Sequence, residues 1–172
     1  VHLGTQVQRL SDDAHQAEGG AMNEAASVFF LLCMSEKTQH ISDKFSLTDR
    51  IVVYPGDCME LLREIPSESM QLIVTSPPYN IGKEYEKRLH LDHYLQQQGQ
   101  VIAECVRTLS PTGSICWQVG NYVDRGAIIP LDTMLYPIFS GLGLRMRNRI
   151  IWHFEHGLHC SRRFSGRYDT II

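Results

Sequence analysis

The chain has 172 residues, 43% of them hydrophobic and 20% charged, with a net charge of −3 at neutral pH. That length fits one domain with a sizeable core, and the composition is that of a soluble globular protein. The mild acidity argues against a uniformly basic coat for nucleic acid, and no stretch approaches the roughly 18 unbroken apolar residues of a membrane helix.

The opening segment differs from the rest. Residues 1–33 begin at Val1, are rich in Gln, Asp, Ala and Gly, and show no steady period, whereas Met34-Ser35-Glu36-Lys37 resembles a natural start. Ala25 to Met34 is somewhat apolar but lacks the basic start and cleavage site of a signal peptide. Residues 1–44 are therefore expected to be an extension, largely disordered or loosely helical, ahead of a folded domain over 45–172.

Ile51-Val52-Val53-Tyr54 reads as a short strand that Pro55 and Gly56 end. Asp57 then stands where a helix N-cap belongs, and Cys58, Leu61, Leu62 and Ile65 recur at helical spacing. A turn at 66–69 leads to a strand over Met70 to Thr75, so this stretch reads as a βαβ unit of a parallel sheet. Leu72 to Val74 look like the end of a buried strand, and the run stops abruptly at Thr75-Ser76-Pro77-Pro78-Tyr79-Asn80. The prolines donate no backbone hydrogen bond and fix φ, so the strand ladder must end there. A stiff, extended segment past a strand's carboxyl end lies where open α/β sheets bind ligands. The Ser76 hydroxyl, unclaimed carbonyls and the Tyr79 ring there suit a flat substrate bearing an amino group.

Gly82 to Arg88 is polar and predicts a mobile loop. Leu91, Tyr94, Leu95, Ile102, Cys105, Val106 and Leu109 form one helical stripe, stopped by Pro111 and Gly113. Ser114 to Val119 is the next strand, and Gly120 to Gly126 a loop carrying Asn121, Tyr122 and Asp124. Pro130 opens a helix through Leu131, Leu135 and Phe139, with a kink expected at Pro137. Leu144 to Phe154 reads as a strand, 157–166 as an irregular basic loop, and Tyr168 to Ile172 as the start of a strand at which the sequence stops mid-element. No internal repeat is visible.

The five cysteines show no paired spacing and read as free thiols in a reducing cytoplasm, with Cys58 and Cys116 as core groups. Trp117 and Trp152 are expected in the core. Charge is uneven: six arginines and the single acid Glu155 lie between Arg145 and Arg167. Such an end fits a local anionic partner or a solvated face. His153, His156, His159 and Cys160 resemble a zinc spacing, but there is no matching second pair and Gly157 breaks the helix that would align them, so no metal is expected.

Gly56-Asp57-Cys58, Leu72 to Asn80, Ser114 to Gly120 and Asn148 to His153 together resemble the amino-group DNA methyltransferases of the N6-adenine and N4-cytosine type. The likeness covers about residues 45–172, and Ser-Pro-Pro-Tyr is its most specific part. It implies a Rossmann-like class I methyltransferase fold, α/β, with a mainly parallel sheet and flanking helices. It also implies S-adenosylmethionine as cofactor and double-stranded DNA as partner. On this resemblance Ser76, Pro77, Pro78 and Tyr79 are the catalytic group, gripping a flipped base, and Asp57, Thr75 and Ser76 meet the cofactor. Asn80, His156, His159, Arg162, Arg163 and Arg167 are expected at DNA. Serine in first place is closer to the N4-cytosine signature, so cytosine N4 is favoured over adenine N6.

Phe139-Ser140-Gly141-Leu142-Gly143 matches the family's glycine-rich cofactor pattern literally, but here the glycines close a helix, so they read as a C-cap and turn. The order resembles the family's permuted, β-class group, in which the catalytic tetrapeptide comes first. The cofactor segment is then missing, the domain partial, and a sheet edge left unpaired. Two alternatives stand beside this: a non-catalytic DNA-binding remnant, and a methyltransferase acting on RNA or a protein amide. A cognate restriction endonuclease is a candidate partner, and the expected location is the cytoplasm.

Overall fold

The computed structural model describes residues 41–84, 86–155, 164 and 166–172. The expected extension therefore lies almost wholly outside the described residues. Its last part does not: β1 (Ile41–Ser42) pairs in parallel with β2 (Ile51–Val52), so folded structure begins ahead of residue 45.

Four further strands make the main sheet, in the order β3 (Met70–Thr75), β4 (Leu109–Val119), β8 (Tyr168–Ile171), β7 (Ile150–His153). β3 and β4 are parallel, while β8 runs antiparallel to both β4 and β7. The sheet is thus mixed, with helices flanking it, as in an incomplete Rossmann-like fold.

Asp57 caps α1 (Cys58–Glu64) as its type and place predict: its side chain accepts from the Met59 N–H at 2.7 Å. The last turn of α1 is closed from outside, where Arg107 donates to the Leu62 carbonyl at 2.6 Å and the Ile65 carbonyl at 3.0 Å. The expected βαβ unit is not formed by β2, α1 and β3, because β2 pairs with β1 in a separate two-stranded sheet. The parallel crossover is instead β3–α2–β4, with α2 at Leu91–Thr108.

β4 starts at Leu109, five residues earlier than the sequence suggests, and runs through Pro111 and Gly113. A register shift opposite Met70–Leu72 absorbs the irregularity. The same shift puts Met70 and Ile73, three residues apart, in the core. Leu72 and Val74 are exposed, at 52% and 60%, on a strand that is the edge of the sheet among the described residues. The stretch expected as a loop at 120–126 is a hairpin, β5 (Asn121–Asp124) with β6 (Ala127–Pro130). Its two turn residues, Arg125 and Gly126, both have positive φ, as a tight two-residue hairpin turn requires.

α3 (Leu131–Gly141) continues through Pro137 and stops at Gly143, whose φ is +87° and whose N–H bonds to the Ser140 carbonyl. The glycines at 141 and 143 therefore serve as a helix stop. α2 and α3 bury Tyr94, Ile102, Cys105, Leu131, Leu135 and Phe139 with Ile73, Trp117 and Val119 of the sheet, and Trp117 meets Phe139 edge-on at 5.5 Å. Trp152 is 57% exposed, contrary to its expected place in the core, because among the described residues β7 is the sheet's outer strand with no helix covering it there. Cys105 is buried, while Cys58 and Cys116 are only half-buried. No described helix is long and apolar enough to cross a membrane.

Candidate functional site: the end of β3 and the acid that meets it

β3 ends with Thr75 paired to Trp117 of β4, and the two prolines carry the chain away from the ladder. Pro77 is buried and Pro78 half-buried. The Tyr94 hydroxyl, rising from α2, donates to the Pro78 carbonyl at 2.9 Å. Burial is the main reason the Tyr94 phenol is held far above its ordinary pKa, with Glu86 and Tyr79 adding to it, so it remains a donor. Pro78 is thus an anchor for the motif.

Asn80, expected among the DNA contacts, is placed otherwise. It is 2% exposed and sits in the left-handed region at φ +59°. Its amide donates to the Leu89 carbonyl at 2.9 Å and accepts from the Leu89 N–H at 2.6 Å. The segment after it, expected to be mobile, is tied down by Glu86. That carboxylate accepts from the N–H groups of Asn80, Ile81 and Gly82 at 2.7 to 2.9 Å, and from Lys83 at 3.4 Å. Successive backbone donors wrapped round one carboxylate form an anion nest.

Ser76 and Tyr79 come together: Ser76 Oγ and the Tyr79 hydroxyl are 2.9 Å apart. The Tyr79 hydroxyl also donates to Asp169 Oδ2 on β8 at 3.3 Å, and Gln118 Nε2 on β4 reaches the same oxygen at 3.2 Å. Burial foremost pushes the Tyr79 phenol above its ordinary pKa; Asp169 adds to the rise and Ser76 opposes it. Gly120 makes room for this group. A Cβ there would lie 2.9 Å from Tyr79 Cδ2 and 3.1 Å from Asp169 Oδ1. The arrangement is a strand end whose exposed Ser76 hydroxyl is bonded to the Tyr79 hydroxyl, which Asp169 holds in turn.

Asp57 is exposed at the start of α1, with one oxygen on Met59, and Thr75 is half-buried next to Ser76. Arg167 is exposed, and its carbonyl accepts from the Phe154 N–H. His156, His159, Arg162 and Arg163 lie outside the described residues, as does Cys160. Of the other arginines in the basic end, Arg145 and Arg147 are exposed, while Arg149 donates to the buried Asp132 at 2.7 Å. Among the described residues no group of three metal-ligating side chains occurs. A cleft of about 280 Å³, lined by Cys116, Phe139, Met146 and Ile150 among others, contains none of the motif residues.

Sequence reasoning missed Tyr94, Glu86 and Asp169. Tyr94 was visible only as one member of an apolar stripe. Asp169 carried a faint signal, a lone acid in the strand Tyr168-Asp169-Thr170-Ile171, whereas nothing local marked Glu86.

A model of the DNA methylase family, of the N6 and N4 type, matches residues 70–172. The type II methyltransferase M.BglII of Bacillus subtilis is 49% identical over 134 residues, which are 77% of this chain and 37% of that protein. The DNA adenine methyltransferase YhdJ of Escherichia coli strain K12 is 30% identical over 121 residues, 68% of this chain and 38% of that one. Among solved structures, the cytosine-N4-specific PvuII DNA methyltransferase superposes with a TM-score of 0.58 at 21% identity, covering 69% of this chain and 46% of its own. TTHA0409 of Thermus thermophilus, described as a DNA modification methylase and solved with S-adenosyl-L-methionine, gives 0.54 at 30% identity, covering 67% and 51%. The chain thus spans about two fifths of these sequence relatives and about half of the solved chains.

Proposed function

The chain belongs to the N6/N4 DNA methylase family, and we propose that it forms the base-gripping part of an enzyme that methylates an exocyclic amino group in double-stranded DNA. The observation that carries this reading is the Ser76–Tyr79 pair held at 2.9 Å beyond the end of a parallel strand. Residues 45–172, together with β1 just ahead of them, are read as part of a catalytic domain.

The exocyclic nitrogen of cytosine or adenine is a poor nucleophile because its lone pair is spread into the ring. Ser76 Oγ can accept one of its N–H groups. The Pro78 carbonyl is already taken by Tyr94, so the second acceptor is the Pro77 carbonyl. Two acceptors draw the nitrogen toward tetrahedral geometry and free its lone pair. This is positioning plus stabilisation of the positive charge that develops on nitrogen. Tyr79, fixed through its hydroxyl, offers its ring to a base flipped from the duplex, which offsets the few kcal/mol lost in unstacking. The surplus proton leaves to water after transfer.

S-adenosylmethionine, when bound, supplies the electrophilic methyl group. Its nucleoside end is assigned to Asp57, whose exposed carboxylate can accept from sugar hydroxyls, and to Thr75 and Ser76 at the end of β3. The glycines at 141 and 143 are spent closing α3 and do not hold its other end. Arg145, Arg147 and Arg167, and from the sequence His156, His159, Arg162 and Arg163, are read as groups that meet DNA phosphate and bases. A paired restriction endonuclease fits the type II names of the relatives.

Ser76 in first place favours cytosine N4, while the similarity to an adenine methyltransferase keeps adenine N6 as the competing target. Mass spectrometry of nucleosides from cells expressing the full-length gene decides between them. N4-methylcytosine is expected, and Ser76→Ala should lower it at least about tenfold by removing a hydrogen bond to a developing charge. Undiminished methylation in that variant would refute the role given to Ser76.

A further inference from the structure

β8 returns to the middle of the sheet and brings an acid to the motif from far away in sequence. Asp169 and Tyr79 are 90 positions apart, yet their polar atoms meet at 3.3 Å. The approach is built into the backbone, since the carboxylate and the ring both pass where a side chain at residue 120 would stand. Gln118 holds the same carboxylate oxygen from β4.

The direction of each hydrogen bond follows from the donor inventory. An ionised carboxylate only accepts, and a phenol has one proton to give. The Tyr79 proton is therefore committed to Asp169. The phenol oxygen, 2.9 Å from Ser76 Oγ, can then only accept from serine. That turns the Ser76 proton toward Tyr79 and leaves the serine lone pairs for an incoming N–H. Without the acid, the Ser76–Tyr79 bond can run either way. In the reversed sense serine presents its own proton to the amine, a donor facing a donor.

We infer that Asp169 is a positioning residue for the methyl acceptor, setting the direction of the Tyr79–Ser76 hydrogen-bond relay so that Ser76 accepts from the exocyclic amine. It touches neither base nor cofactor, and it acts only through the Tyr79 hydroxyl. The inference rests on the methyltransferase reading of this site.

The test is a double-mutant cycle in the full-length protein, using labelled S-adenosylmethionine and duplex DNA under single-turnover conditions. Asp169→Ala is expected to slow methyl transfer about tenfold, the scale of one misdirected charge-assisted hydrogen bond, with the KM for DNA held within about twofold. In a Tyr79→Phe background the same substitution is expected to change nothing, because the group that transmits direction is gone. A merely structural Asp169 would cost the same factor in both backgrounds, and that result overturns the inference. So does an Asp169→Ala protein as fast as wild type. If the alanine variant does not fold, Asp169→Leu, with the same branched shape but no acceptor, takes its place in the cycle. A wild-type protein that transfers no methyl group brings down the functional reading itself, whereas an active wild type with no coupling brings down only the role of Asp169.

Discussion

Replacing Asn80 probes how the motif is held. Asn80→Ala removes two hydrogen bonds to the Leu89 backbone, at 2.6 and 2.9 Å, worth about 1 kcal/mol each. It also puts alanine at φ +59°, which costs about 1 kcal/mol more than asparagine or glycine there. The expected loss is about 3 kcal/mol, or roughly 6–12 °C in melting temperature for a domain of this size. Asn80→Gly loses the same bonds without the backbone strain, so its loss should be about 2 kcal/mol. Urea denaturation followed by circular dichroism measures both. Equal losses in the two variants would show that the left-handed backbone carries no cost, and a loss below about 1 kcal/mol for alanine would show that the Leu89 bonds are replaced by water.

The remaining predictions concern packing and pH. Gly120→Ala places a methyl 2.9 Å from the Tyr79 ring, so ring or strand must shift, at about 1–3 kcal/mol. A thermal melt reads that loss, and an unchanged melting temperature would mean the ring moves freely. Burial above all pushes the Cys105 thiol up to about 12, above its unfolded value of about 8.5. Its folded pKa is the higher one, so its contribution is complete below about pH 8.5 and is lost as pH rises toward 12, at up to about 1.4 kcal/mol per pH unit. The raised Tyr94 and Tyr79 phenols act with the same sign at higher pH. Denaturation at pH 8 and pH 10 should show lower stability at pH 10, with a smaller difference in Cys105→Ala. An identical slope in that variant would remove the thiol as a cause.

Local chemistry made part of this legible. The cap at Asp57, the apolar stripe of α2, the strand stop at Pro77 and the helix stop at Gly143 each follow from neighbours a few residues away. What could not be read depends on partners across the fold. Leu72 and Val74 have core-type side chains, yet they stand exposed on what is, among the described residues, the edge strand of the sheet. Pro111 and Gly113 look like a break but lie inside β4, because the strand tolerates an irregular register there. The Arg125–Gly126 turn lacks the asparagine or aspartate that usually announces such a hairpin. In the site, the Ser76–Tyr79 pair was readable from its motif. Asp169 was not, since its place depends on β8 pairing with β4.

That long return of β8 has a consequence for the order in which the molecule is made. Ser76 and Tyr79 are three positions apart and can meet as soon as the proline turn forms. Tyr79 and Asp169 are separated by 90, and closing a loop of that length costs about 3 kcal/mol more than one of three residues. The acid cannot hold its place until the β4–β8 ladder bears that cost. The Tyr79 phenol therefore reports a long-range contact: its hydrogen bond to Asp169 closes only once β8 has paired with β4, and a refolding experiment that follows this one ring would time the arrival of β8.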